Sequence, residues 1–233
     1  AFLMHTFKAH AWGNTEADLF GAVAGVLASL AARLVAEEDA KAKELEAVLA
    51  REDAIRSLGL AVEARDSETG GHTDRVTELA TRIAHVLGMS GDALRALTWG
   101  AYLHDVGKIG VPDRILHKPG KLDDEEWTLM RGHAALGHAF AARLTFLPEA
   151  TLQTVRHHHE RWDGAGYPDR LGGEDIPLAA RIFSVCDVYD ALTSARPYKR
   201  AWSREEAIAE IRAQAGLQFD PRVVTAFLEV LGA

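Results

Sequence analysis

The chain has 233 residues, 48% of them hydrophobic and 26% charged, with a formal net charge of −8. That length carries one substantial core plus an accessory segment, and the balance excludes a disordered or fibrous protein. The acidic surplus argues against polymeric nucleic acid as a partner, because such binding depends on lysine and arginine displacing phosphate counterions. The single cysteine, Cys186, excludes an intrachain disulfide and a zinc ribbon and suits a reducing cytoplasm.

The opening AFLMHTFKAH lacks the charged segment and long apolar run of a signal peptide. The longest apolar stretch, Leu19 to Ala32, falls short of the roughly 20 residues that span a bilayer. A cytoplasmic chain with no membrane segment is expected. Residues 15 to 64 read as one long helix, with Leu27, Leu34, Val48, Ile55 and Val62 on a seven-residue repeat that Lys41 breaks. Leu30 and Leu58 supply a second seam position, interrupted by Glu37, Glu44 and Arg51. Two readings stay open: a dimeric signalling helix between modules, or an amphipathic helix packed on its own domain.

A helix opening near His72 is predicted to stop at Gly88, where glycine takes a left-handed cap. Another runs from about Asp92 towards His104. Asp123 and Glu126 have the spacing of a capping box and predict a helix carrying His133; Ser203 and Glu206 repeat the signature. The stretch ERWDGAGYPDRLGGEDIPL, from Glu160 to Leu178, predicts a long ordered loop, and loops of that length are commonly functional. Asp220-Pro221 predicts the start of the last helix. No alternating strand run of useful length follows residue 20, so the expected fold is all-α.

The chemistry centres on LHDVGKIGVP, where His104 and Asp105 sit at the end of an apolar helix. Adjacent helical residues do not share a face. At a helix end, though, both can serve one metal cluster, the imidazole on one ion and the carboxylate bridging to a second. A mixed imidazole and carboxylate set points to first-row transition metals. Further candidate ligands are Glu68 and His72 in ETGGHTDRV, His133 in MRGHAALG, His158 and His159 in RHHHERWDG, and Asp187 in FSVCDVYDAL. Together they exceed what one ion needs, which favours a multinuclear site able to clamp the attacking and leaving oxygens of a phosphoryl displacement. Lys108 lies one turn from His104, where its ammonium can reach a phosphate.

HDVGK at 104 to 108 and HHERWDGAGYP at 158 to 168, with ARDSETGGHTDRV, KPGKL and IPLAARIFSVCDVYDALTSARPYKR at compatible spacing, resemble the HD-GYP domain over roughly residues 60 to 231. Members of that family are bacterial phosphodiesterases acting on cyclic di-GMP. The resemblance implies an all-helical HD-type bundle with two or three divalent transition-metal ions, iron or manganese. It implies His72, His104, Asp105, His133, His158, His159 and Asp187 as metal ligands, with Glu68 accompanying a third ion. Lys108, Tyr167, Arg196 and Lys199 would contact substrate phosphate or guanine, and Asp105 and Lys108 would act in catalysis. The reaction expected is hydrolysis of cyclic di-GMP to linear pGpG, with further cleavage to GMP left open. A silent cyclic-dinucleotide receptor and a nucleotidase of the wider superfamily are the rivals.

His157 precedes the assigned pair, and His85, His117 and His138 match no ligand position. The first 35 residues resemble the final strand and helix of a GAF sensory domain. The expected organisation is a sensory remnant at 1–35, a linker helix at 36–64 supporting a homodimer, and a catalytic domain at 65–233.

Overall fold

A computed structural model describes residues 13–66, 70–195 and 200–233. Glu68, Arg196, Lys199 and the strand expected within residues 1–12 lie outside the described residues. The chain divides into two compact units, 1–51 and 52–233.

The described part of the first unit belongs to α1 (Asn14–Asp66), a single helix that continues into the second unit. Phe20, Val23, Leu27, Leu30 and Leu34 follow one another at alternating spacings of three and four, and all are about half exposed. Leu19, Val26 and Val35, off that seam, are exposed too. An 18-residue window of α1 reaches a mean hydropathy of 2.0 with none of it buried. By length and composition alone the helix is therefore apolar enough to cross a membrane, a test that core helices of soluble proteins also pass. Past Arg33 the apolar character continues through Leu34, Val35 and Ala36, beyond the expected run of Leu19 to Ala32.

The second unit is all-helical, with no strand among its described residues beyond one isolated bridge between Ala215 and Phe219. Its helices are α2 (His72–Val86), α3 (Gly91–Leu103), α4 (Asp113–Leu116), α5 (Asp124–Arg131), α6 (His133–Ala141), α7 (Glu149–His157), α8 (Leu178–Thr193), α9 (Arg204–Ala213) and α10 (Pro221–Leu231), with 3-10 turns at Val106–Gly110 and Gly173–Asp175. The boundary signals act as their chemistry dictates. Gly88 ends α2 with φ +81°, and the Met89 N–H donates back to the Ala84 carbonyl. Asp123 and Ser203 each accept from the N–H three residues on, completing capping boxes with Glu126 and Glu206. Asp220 caps α10 ahead of Pro221.

One boundary differs from the sequence expectation. The helix begun by Asp123 stops at Arg131, and His133 opens α6, with Gly132 as the hinge between them. Glycine is a weak helix former, so the chain bends there, and His133 is turned into the domain.

The core has two parts. Val76, Ala80 and Ile83 of α2 meet Leu97 of α3, Ile182 and Phe183 of α8, and Val223 and Phe227 of α10. Ile55 and Val62 of α1 pack instead with Trp99, Leu103, Val106 and Val155. The last two positions of the sevenfold series on α1 therefore bury against their own domain, as the packed-helix reading expects. Gly59 allows that approach: a Cβ there would stand 2.3 Å from the Tyr102 carbonyl oxygen.

Candidate metal centre

The end of α3 delivers His104 and Asp105, α2 begins with His72, α6 with His133, α7 ends into His158 and His159, and α8 carries Asp187. All these positions lie at helix ends except Asp187, which lies inside α8. The structure brings the seven together. Ligand-capable atoms of His133, His158 and His159 lie within 4.8 Å of one another, as do those of His72, His104 and Asp187. Asp105 lies between the groups, its carboxylate 3.1 Å from His104 Nε2 and 3.3 Å from His133 Nε2.

Each of four imidazoles is held through Nδ1. His104 Nδ1 donates to the Ala101 carbonyl at 2.7 Å, His133 Nδ1 to Met130 at 2.7 Å and His158 Nδ1 to Val155 at 2.8 Å. His72 Nδ1 faces Asp190 Oδ2 at 2.7 Å. A carbonyl only accepts, so Nδ1 carries the hydrogen in the first three and a neutral ring then offers an Nε2 lone pair. His133 Nε2 and His158 Nε2 are 3.2 Å apart. Two lone pairs facing at that distance repel unless a cation lies between them. Burial makes a proton a poor choice: it holds His158 neutral well below the usual histidine range and lowers His133, and with the charge of His133 it pushes His159 down to about 3. His104 goes the other way. Burial opposes its protonation, but the charge and hydrogen bond of Asp105 outweigh it and lift His104 to about 9. In Asp105 burial likewise favours the neutral acid, and the charges of His104 and Lys108 win, keeping it a carboxylate. The neutral imidazoles of His133, His158 and His159, beside the Asp105 carboxylate and a His104 whose Nε2 proton a cation would displace, form a donor set that fits divalent metal ions.

Around this cluster, Lys108 Nζ sits 2.5 Å from Asp66 Oδ2 and 2.6 Å from Asp105 Oδ2. Tyr167 lies with its ring 4.7 Å from that of His159, and burial and the Asp105 charge push its hydroxyl up, so it remains a donor. Lys108, Asp105, His133, His159, Tyr167 and Asp187 share the wall of one cavity of about 380 Å³.

The loop that brings Tyr167 there is anchored behind the site. Arg156 grips Asp169 with two hydrogen bonds, at 2.6 and 2.8 Å, His157 Nε2 contacts the same carboxylate at 2.9 Å, and Glu160 accepts from the Asp169 N–H at 2.7 Å. His157 thus faces the loop, away from the cluster that His158 and His159 join. Its group with Glu160 and Asp169 also has metal-like spacing, but the Arg156 guanidinium already occupies that carboxylate. The two glycines of the loop act differently from each other. Gly164 adopts φ +76°, whereas Gly166 needs close approach, since a Cβ there would lie 2.5 Å from Glu160 Cα.

Sequence reasoning missed Asp66, Asp190 and Glu63. Asp190 stands three residues after Asp187 on one face of α8, a spacing that could have disclosed it. Glu63, on α1, accepts from the N–H groups of Gly71, His72 and Thr73 at 2.6 to 3.1 Å, serving the start of α2 from another helix, and carries no local signal.

The chain is 45% identical over 178 residues to the cyclic di-GMP phosphodiesterase response regulator RpfG of Xanthomonas campestris pv. campestris, covering 76% of this chain and 47% of that protein. It is 43% identical over 176 residues to the 3'3'-cGAMP-specific phosphodiesterase 2 of Vibrio cholerae, covering 75% of this chain and 34% of that one. The chain therefore spans about a third to a half of the length of these relatives. Among solved structures, a cyclic GMP-AMP specific phosphodiesterase of V. cholerae superposes with a TM-score of 0.63 at 23% identity, covering 78% of this chain and 48% of that one, a likeness of fold. The HD domain profile matches residues 58–223. With the fold, the helix-end histidines and this match in agreement, the chain belongs to the HD domain family.

Proposed function

We propose that this chain is the catalytic part of a cyclic-dinucleotide phosphodiesterase that hydrolyses cyclic di-GMP to linear pGpG. The observation that supports it most is the convergence of locked Nε2 atoms and ionised carboxylates on a cavity whose wall also holds Lys108. The relatives' names point to the same substrate class.

His72, His104, Asp105, His133, His158, His159 and Asp187 would hold the metals, with Glu68 assigned by its motif to a third. The mixed donor set suits iron or manganese. Divalent ions, when bound, supply Lewis acidity and lower the pKa of a coordinated water towards neutrality. The chain's own residues do the rest. Lys108 exchanges its contacts with Asp66 and Asp105 for a non-bridging phosphate oxygen, offsetting charge as it builds up. The protonated Tyr167 hydroxyl offers a hydrogen bond from the loop side, and the motif assigns Arg196 and Lys199 to the same substrate. The silent-receptor reading has no support in a site with Asp105, Lys108 and the histidines all in place.

Protein loaded with manganese, or with iron under anaerobic conditions, should convert cyclic di-GMP to a linear product resolved by chromatography, in a cytoplasmic setting where that messenger is made. His104→Ala and Asp105→Ala should each reduce turnover below detection while helical content by circular dichroism stays unchanged. Full activity in either variant, or inert metal-loaded wild type, would sink the proposal.

A further inference from the structure

The Arg131 guanidinium carbon lies 5.6 Å from the ring centroid of Trp127 and 5.6 Å from that of Tyr167. Tyr167 in turn lies against His159. Four flat groups thus form a ladder from the candidate metal centre to Trp127, which is 44% exposed although it is a large aromatic residue. Trp127 lines the cavity that holds Asp105 and Lys108, and Arg131 lines the adjoining one of about 660 Å³ with His159 and Tyr167. Among the described residues no carboxylate pairs with Arg131, in a chain whose net charge is −8. Both side chains are exposed to solvent beside these cavities, so a ligand can reach the tryptophan ring and the arginine fork together.

We propose that Arg131 and Trp127 form a guanine-reading subsite of the candidate active site, an assignment that rests on the cyclic-dinucleotide reading for its substrate. Held near two rings, the guanidinium loses little conformational freedom on binding and can still turn its N–H donors to a ligand. Guanine presents two acceptors, O6 and N7, along one edge, which an arginine fork meets with two donors. Adenine offers N7 beside an amino donor, so the fork gains one bond and meets a donor with its other arm. The open face of Trp127 supplies the stacking surface, which any base would use. Selectivity therefore belongs to Arg131 and affinity to Trp127.

The test uses the full chain in two forms, metal-free for binding and metal-loaded for turnover, with cyclic di-GMP and cyclic di-AMP as probes. Calorimetry on metal-free protein should show cyclic di-GMP bound more tightly than cyclic di-AMP. Arg131→Ala should weaken cyclic di-GMP on the order of tenfold while leaving cyclic di-AMP nearly unchanged, and Arg131→Lys, which lacks the fork, should not restore the preference. Trp127→Ala should weaken both ligands and Trp127→Phe should retain them. In the loaded enzyme Arg131→Ala should raise KM for cyclic di-GMP with kcat within about a factor of two, since the interaction is made equally in ground and transition states. Equal weakening of the two ligands in Arg131→Ala, or no change in either, overturns the subsite while leaving the phosphodiesterase reading intact. Arg131-dependent guanine preference in a protein that hydrolyses nothing supports the subsite and removes the hydrolytic reading instead.

Discussion

Asp190 shows how a single carboxylate outside the ligand cluster controls it. Its side chain is 10% exposed, contacts His72 Nδ1 at 2.7 Å and receives the Arg75 guanidinium at 2.6 and 3.0 Å. Burial would raise its pKa, but the hydrogen bonds from His72 and Arg75 prevail and hold it at about 2, below the ordinary 3.8. A folded-state value below the unfolded one means that its contribution to stability is complete above the ordinary value and is lost as pH falls through about 2. In metal-free protein, the stability gap between wild type and Asp190→Asn should therefore be constant above about pH 4 and narrow towards pH 2 in acid unfolding followed by circular dichroism. Held as an ionised acceptor, Asp190 also sets the His72 tautomer that leaves Nε2 for a metal, 3.4 Å from Asp187. Asp190→Asn should weaken metal binding by roughly 10- to 100-fold, measured by titration with manganese. An unchanged affinity would show that His72 needs no such partner. The sequence pattern supplied His72 and Asp187 as candidates through their motifs. The three-residue step from Asp187 places Asp190 on the same face of α8, but that spacing alone does not name His72, 118 residues earlier in the chain, as its partner.

Between elements, the site depends on backbones that approach without side chains between them. The 3-10 turn after Asp105 packs on the start of α6 at Gly107, where a Cβ would stand 1.9 Å from the His133 carbonyl oxygen and 2.5 Å from the Gly137 nitrogen. Both obstacles are backbone, so neither can rotate aside. Gly107→Ala should push the turn off α6, separating Asp105 and Lys108 from His133, and cost about 3 kcal/mol or more by the general scale for overpacked sites. Chemical denaturation should show the loss, and metal titration should show weakened binding; a variant with wild-type stability and affinity would refute this account of the contact. Helix existence, the caps at Asp123, Ser203 and Asp220 and the glycine stop at Gly88 were legible, because each is a local hydrogen-bond or conformational preference. The break at Gly132 was not, since glycine near a helix end is compatible with continuation, and only packing of His133 into the domain selects the bend.

At the scale of the whole molecule, we infer that the exposed seam of Phe20, Val23, Leu27, Leu30 and Leu34 pairs with the same seam of a second copy, because alternating steps of three and four are the spacing of a coiled-coil interface. Sedimentation equilibrium should give about twice the 25.3 kDa of the chain, and the double variant Leu27→Glu, Leu30→Glu should sediment as a monomer while metal-loaded turnover persists. A monomeric wild type, or one that floats with phosphatidylcholine vesicles as a monomer, would overturn the pairing and favour the membrane reading that the helix's hydropathy also permits. The sequence by itself determined the all-helical class, the helix-end placement of His104 and Asp105, and the order of the histidine and aspartate motifs, since periodicity, caps and motif spacing are properties of short stretches of chain. Only the tertiary structure decided that His133 and His158 present facing lone pairs, that Asp66 and Asp190 join the site, that Ile55 and Val62 belong to the domain core, and that Arg131 lies between two rings. Each of those depends on residues far apart in the chain meeting in one volume, and the free energy that brings them together comes from burying helix faces whose partners no local pattern names.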